Sequence, residues 1–222
     1  MKKSSQNKPV HFILASASPR RAELLRLVGI EHEVVPSAVD EKTGVPPEPG
    51  PHVTTLAQRK ALAVYCQYPD AVVLGADTIV YHDGEILGKP AGFEDACRMV
   101  GRLAGSEHEV YTGIALAGGP DDRPVESAFE VTRVRFRPLD TGHIEAYVRT
   151  GEPMDKAGAY GIQGYGATLV ESVAGCYFNV MGLPLNRLIR LLETRGLDYR
   201  FQALRPIAPM PGIENPTNNN KR

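Results

Sequence analysis

The sequence predicts an α/β fold with a mixed sheet, and three observations carry that prediction. Strand-like and helix-like hydrophobic patterns alternate along the chain, with little that reads as a repeat or linker. The segment AVVLGAD, residues 71–77, is an uninterrupted run of apolar and small residues, the pattern of a strand buried on both faces. Two long strand patterns, roughly 107–117 and 125–137, are separated only by the turn GGPDDR, which favours antiparallel pairing.

The first element is the strand-turn-helix ILASASPRRAELL, residues 13–25. Ser18 suits the N-cap and Pro19 the first helical position, so free backbone N–H groups point into a serine-rich turn. The helix stops at Gly29, and EHEVVPS follows as a short strand. The Pro/Gly-rich stretch 44–51 reads as a loop, after which Thr54 or Thr55 caps a helix to about Gln67. The strand at 71–77 continues through 79–81 to a hairpin turn at Asp83-Gly84. A helix over 93–103 precedes the two long strands. Beyond them come a helix at about 140–149, a glycine-rich stretch at 157–166, a strand near 167–172, and a helix from Pro184 to Arg195 that ends at Gly196. Residues 1–9 and 206–222 are polar or proline-rich and are expected to be disordered, leaving 10–205 as one domain or two closely joined lobes.

Composition sets limits on function. The 222 residues hold 42% hydrophobic side chains, and 25 Lys and Arg balance 26 Asp and Glu for a formal net charge of −1. A core is therefore affordable, and a dedicated nucleic-acid binder, which carries a basic excess, is disfavoured. Cys66, Cys97 and Cys176 are odd in number and widely spaced, which argues against a disulfide framework or a CxxC metal knuckle and for packed thiols in a reducing cytosol. The apolar run after Lys2 and Lys3 is too short for a signal-peptide core, and no segment is long enough to span a membrane.

The candidate chemistry lies where elements end. Ser16, Ser18, Arg20 and Arg21 surround the first helix N-terminus; two arginines there oppose the helix dipole, which points to an anion such as phosphate, the alternative being an ordinary joint with solvated arginines. Asp77 leaves a rigid apolar strand, where a carboxylate can bind a divalent metal, accept a proton from water, or simply cap the next turn. Glu41 in VDEK is a second carboxylate able to share a metal, the alternative being a solvated loop residue. Lys60 lies inside the second helix, and Lys89, between Gly88 and Pro90, can aim its ammonium into a cleft. In DKAGAYGIQGYGA, residues 155–167, the glycines allow close approach of backbone to ligand, while Tyr160 and Gln163 supply a ring and a two-way amide able to read a nucleobase edge. Arg133, Arg135 and Arg137 alternate as on a solvated sheet face. GxGxxG, GxxxxGKS, HExxH and GxSxG patterns are absent.

Taken in order, SASPRR, VDEK, QRKA, VLGADTIV, LGKP, the Thr112-Gly113 pair, DKAGAYGIQG and NVMGLPL resemble one known family, the Maf proteins, over residues 11–196. The resemblance implies a Maf/inosine-triphosphatase-like fold with a long mixed sheet, flanking helices and two lobes around a cleft. It also implies hydrolysis of a nucleoside triphosphate to the monophosphate and pyrophosphate, a divalent cation (Mg²⁺ or Mn²⁺), frequent homodimers and a cytoplasmic location. Carried over by position, Asp77 matches the family's proton acceptor, Glu41 its second carboxylate, with both as metal ligands, and Lys60 and Lys89 its two catalytic-site lysines. Arg20, Thr78 and Gln163 occupy the specificity positions, a triplet similar to the branch acting on dTTP and UTP; a branch acting on 7-methyl-GTP tends to carry Trp, Gln and Glu there. Arg59 departs from the family pattern, which often has an acidic or amide residue, and is expected to adjust the helix surface and leave activity intact. A nucleotide-binding regulator of cell division is the reading from another class; paired carboxylates near phosphates favour the enzyme.

Overall fold

The computed structural model describes residues 10–120 and 124–207. Its centre is β3 (Val72–His82), eleven residues whose apolar and small side chains permit burial on both faces. The first half of β3 pairs in parallel with β1 (Phe12–Leu14), which also carries the short parallel strand β2 (Glu33–Val34) on its far side. On its other edge β3 pairs antiparallel with β5 (Glu107–Ala117), followed by β6 (Glu126–Phe136) and β7 (Val170–Ala174). The order is β2-β1-β3-β5-β6-β7, and β4 (Glu85–Leu87) folds back antiparallel on the end of β3. The sheet is mixed because helical crossovers join the parallel strands β1, β2 and β3, whereas hairpins join β3 to β4 and β5 to β6, and longer helical connections lead to β5 and β7.

One consequence of this topology places the site. On the β1 edge, ladder pairing with β3 ends at Leu74, whose carbonyl accepts from Ala15 N at 2.8 Å. Pairing with β4 begins only at Val80. Residues 75–79 therefore present an edge with no neighbouring strand, and Asp77 and Thr78 lie in that gap.

Helices cover both faces. Leu74, Ala76, Ile114 and Leu116 form one apolar cluster with α1 (Pro19–Leu27) and with α6 (Leu185–Thr194), whose Leu185, Leu188, Leu191 and Leu192 recur at helical spacing. On the opposite face α2 (Pro49–Tyr65) sets Ala57 and Ala61 against Ala115 and Ala117. A second large cluster joins Val80, Val110, Val134 and Phe136 to α3 (Phe93–Leu103), α4 (Thr141–Arg149), Tyr160 and Leu169. The open stretch of β3 lies between these two clusters, Leu74 and Ala76 belonging to the first and Val80 to the second.

Several boundaries differ from the sequence expectation. Helix α2 starts at Pro49, with Glu48 at the N-cap, because Pro49 and Pro51 suit a first turn that needs no N–H donors; the Thr54 hydroxyl instead donates to the carbonyls of Gly50 and Pro51. The glycine-rich stretch winds into short 3-10 turns up to Thr168, which delays β7 to Val170. A short helix, α5 (Tyr177–Val180), and a hairpin of β8 (Leu197–Tyr199) with β9 (Leu204–Pro206) were not anticipated. Pro206 and Ile207, assigned from sequence to the tail, belong to this hairpin, with Ile207 N donating to Gly196 O at 2.6 Å. Residues 1–9, 121–123 and 208–222, which include the rest of both tails and part of the GGPDDR turn, lie outside the described residues. Among the described residues Cys66, Cys97 and Cys176 are free, and no helix is long and apolar enough to cross a membrane.

Candidate active site

Two glycines bring helix and sheet together. Gly75 on β3 and Gly113 on β5 lie directly under the backbone of α2: a Cβ on Gly75 would fall 2.1 Å from Ala57 O, and one on Gly113 would fall 2.4 Å from Val53 C and O. That approach lets Lys60 of α2 reach Asp77, whose register partner is Gly113. Lys60 Nζ is 2.6 Å from Asp77 Oδ1 and 2.7 Å from Glu41 Oε1, so one buried ammonium is shared by two carboxylates. Asp77 is 11% exposed at its side chain and Glu41 55%. The pair thus reaches from the floor of the gap to its mouth. Partial burial acts to raise the Glu41 carboxyl, but the hydrogen bond from Lys60 and the charges of Lys60, Lys89 and Arg21 together hold it below the ordinary range.

Arg21 fills the gap in the ladder. Its guanidinium is buried and donates to Ser16 Oγ at 3.0 Å, Ala76 O at 2.9 Å, Thr78 Oγ1 at 3.0 Å and Gly182 O at 2.8 Å. Burial lowers its basicity, with Asp77 opposing that effect. The fork read from sequence as two side-by-side arginines therefore divides: Arg21 organises the floor, while Arg20 faces the cleft, its Nη1 3.4 Å from Asp155 Oδ2. Ser18 stands at the N-cap without a side-chain cap bond; instead Ser18 N donates to Ser16 Oγ at 3.2 Å. Thr78 Oγ1 also meets Thr112 Oγ1 at 2.9 Å, and Thr112 donates to Asn179 O. A polar seam of Arg21, Thr78, Thr112 and Asn179 thus separates the two apolar clusters.

The cavity so bounded has a volume of about 860 Å³, in the range of small-molecule sites. All the sequence candidates line it: Ser16, Ser18, Arg20, Arg21, Glu41, Lys60, Asp77, Thr78, Lys89 and Gln163. Gln163 is exposed at the far wall, beside Tyr160 and Ile162. Six Lys and Arg side chains line the cavity against four Asp and Glu, a balance of two positive charges.

Sequence reasoning did not single out Asp155, Lys156 or Glu152. Lys156 Nζ donates to Asp155 Oδ1 at 2.7 Å and its stem passes under Gly161, where a Cβ would meet Lys156 Cε at 2.8 Å. Glu152 accepts from Tyr165 N, Gly166 N and Tyr147 Oη, fixing the loop that presents Gln163. Their motif, DKAGAYGIQG, was visible; what pairs within it depends on 3-10 turns that no periodicity announces. Arg133 and Arg135 are exposed and face Glu107 and Glu171, while Arg137 donates to Thr168 O, as on a solvated sheet face.

The donor set for a metal is small. Each carboxylate of the Glu41/Asp77 pair gives one oxygen to Lys60, and the described residues contain no group of three or more His, Cys, Asp or Glu able to hold an ion. Two carboxylates suit a hard divalent cation that draws its other ligands from phosphate and water.

A family model described as Maf-like protein matches residues 11–195. A dTTP/UTP pyrophosphatase from Symbiobacterium thermophilum is 54% identical over 185 residues, 83% of this chain and 94% of that protein. One from Moorella thermoacetica is 50% identical over 187 residues, covering 84% and 96%, and one from Aquifex aeolicus is 44% identical over 188 residues, covering 85% and 97%. The Staphylococcus aureus Ham1 protein aligns with a TM-score of 0.40 at 12% identity, over 72% of this chain and 79% of that one, a likeness too slight to carry an argument. The match over most of the described residues, with the motifs converging on one cavity, makes this chain a member of the Maf family.

Proposed function

We propose that the protein hydrolyses dTTP and UTP to the nucleoside monophosphate and pyrophosphate through attack of water on the α-phosphorus. The observation that carries this reading is the Glu41/Lys60/Asp77 chain on the open edge of β3, inside a cavity whose lining carries a surplus of positive charge. The relatives named dTTP/UTP pyrophosphatase at 44% to 54% identity support the reaction and the pyrimidine preference.

As the water oxygen bonds to phosphorus, the bridging oxygen leaves with its electron pair as pyrophosphate, and negative charge grows on the leaving group. Fixed cations in a partly dry cleft stabilise that charge more than the ground state. Lys60, Lys89 and Arg20 are placed to do so. Asp77 shares one oxygen with Lys60, and its other oxygen accepts the proton from water. Arg21 spends four donors on the protein and acts by holding Ser16, Thr78 and the Gly182 carbonyl in place. Glu41 and Asp77 would together hold Mg²⁺ or Mn²⁺, which when bound neutralises phosphate charge. At the far wall the Gln163 amide offers one donor and one acceptor to the uracil or thymine edge. A nucleotide substrate and three free thiols support a cytoplasmic location.

The test is pyrophosphate release from a panel of dTTP, UTP, dCTP, purine and 7-methylated triphosphates, with products separated by chromatography. Monophosphate plus pyrophosphate from dTTP and UTP is expected, falling at least about a hundredfold in Asp77→Asn. Turnover confined to purine or methylated nucleotides would overturn the base assignment. No turnover of any nucleotide would overturn the enzyme reading.

A further inference from the structure

Glu41 stands in an irregular segment between β2 and α2, and its side chain is more than half exposed. Such a carboxylate keeps a fixed place only if the loop beneath it is held. Lys60 grips the carboxylate itself. The preceding helix residue, Arg59, grips the backbone: its Nη1 donates to Thr43 O at 2.7 Å and Asp40 O at 3.4 Å, and its Nη2 to Gly44 O at 2.7 Å. From inside the loop, the Asp40 carboxylate accepts from Lys42 N at 2.8 Å and Thr43 N at 3.3 Å. The backbone of residues 40–44 is thus closed by Asp40 and held to α2 by the Arg59 guanidinium, with Glu41, gripped by Lys60, in between.

We infer that Arg59 is the positioning residue for Glu41: its fork clamps the Asp40–Gly44 backbone to α2 so that the Glu41 carboxylate meets Lys60 at the mouth of the cleft. Three carbonyls divided between Nη1 and Nη2 suit the planar, multi-donor guanidinium; a lysine offers a point charge, and an acid offers no donor. Arg59 therefore does more than the surface adjustment expected from sequence. Its effect on turnover rests on the reading of Glu41 as part of the reacting centre, whereas the clamp itself does not.

The test uses the full chain and four variants: Arg59→Gln, Arg59→Lys, Glu41→Gln and the Arg59→Gln/Glu41→Gln double variant. Native-state trypsin cleavage of the exposed Lys42–Thr43 bond, followed by mass spectrometry, reads the clamp directly. Cleavage is expected to accelerate about tenfold in Arg59→Gln and less in Arg59→Lys. For dTTP, kcat is expected to fall about tenfold in Arg59→Gln with little change in KM, and to recover in part in Arg59→Lys. In the Glu41→Gln background Arg59→Gln should cost nothing further, because the group it positions is already gone. Equal cleavage rates, or kcat losses that multiply in the double variant, would overturn the inference. Faster cleavage with kcat unchanged in every variant would keep the clamp and overturn the role given to Glu41.

Discussion

Lys60 shares one ammonium between Glu41 and Asp77. Its hydrogen bond and charge, with help from Lys89 and Arg21, hold the Glu41 carboxyl down against partial burial. In Lys60→Met burial acts with less opposition, and Glu41 takes up its proton at higher pH. The acid limb of the kcat/KM profile should therefore move to higher pH, in addition to a loss of about a hundredfold at the optimum; a profile lowered without any shift would count against the coupling. At this scale the sequence was informative but incomplete. Asp77 was legible only in part: the apolar run pointed to a carboxylate at a strand exit, whereas Asp77 lies inside β3, opposite Gly113, because the strand runs on to His82. Arg21 was not: the motif SPRR looks the same whether its second arginine meets solvent or fills a gap in a sheet. Only the end of β1 at Leu14 decides that.

At the scale of elements, the decisive contact is between α2 and the two strands beneath it. Gly75 and Gly113 remove the side chains that would hold a helix at its usual distance, so the Lys60 ammonium arrives at β3 instead of stopping short of it. In Gly113→Ala the new methyl would meet the Val53 carbonyl group within 2.4 Å, and backbone must shift to admit it. The variant is expected to lose about 1–3 kcal/mol of stability in denaturant unfolding, and the fraction that remains folded should turn over dTTP more slowly as Lys60 retreats from Asp77. Full activity per folded molecule would show that the close approach serves packing alone. The helix was expected from a Thr54 or Thr55 cap, and its first turn was mistaken for loop because Pro49, Gly50 and Pro51 carry turn signals that also suit a helix start. The glycines of GAD and TG were noticed within motifs, but their partner across the layer belongs to another element, and no local pattern names it.

For the molecule as a whole, the site lies between two large apolar clusters, and beside the second packs a buried imidazole, His108. His108 packs edge-on against Phe136 and Tyr160, meets Tyr160 Oη at 2.8 Å through Nε2, and leaves Nδ1 without a partner. Burial, with the nearby His82, brings its pKa down to about 3 from the usual 6.5. The native protein thus keeps His108 neutral where the unfolded chain would protonate it. Between pH 6.5 and pH 3 the unfolded state binds more protons, so stability falls as pH falls, by about 2 kcal/mol from this group between pH 7 and pH 5. Depressed carboxylates such as Glu41 add their own losses at lower pH, where the unfolded chain takes up the proton before the native state does. The comparison that isolates His108 is urea unfolding of the wild type and His108→Gln at pH 7 and pH 5. Whatever the variant's stability at pH 7, its further loss on going to pH 5 should be smaller than that of the wild type by about 2 kcal/mol. Because Tyr160 belongs both to this core and to the cleft wall, the same acidification should weaken dTTP turnover less in the variant, once each is scaled to its own value at pH 7. Identical pH slopes would mean that the imidazole is already protonated, or already hydrated, in the native protein.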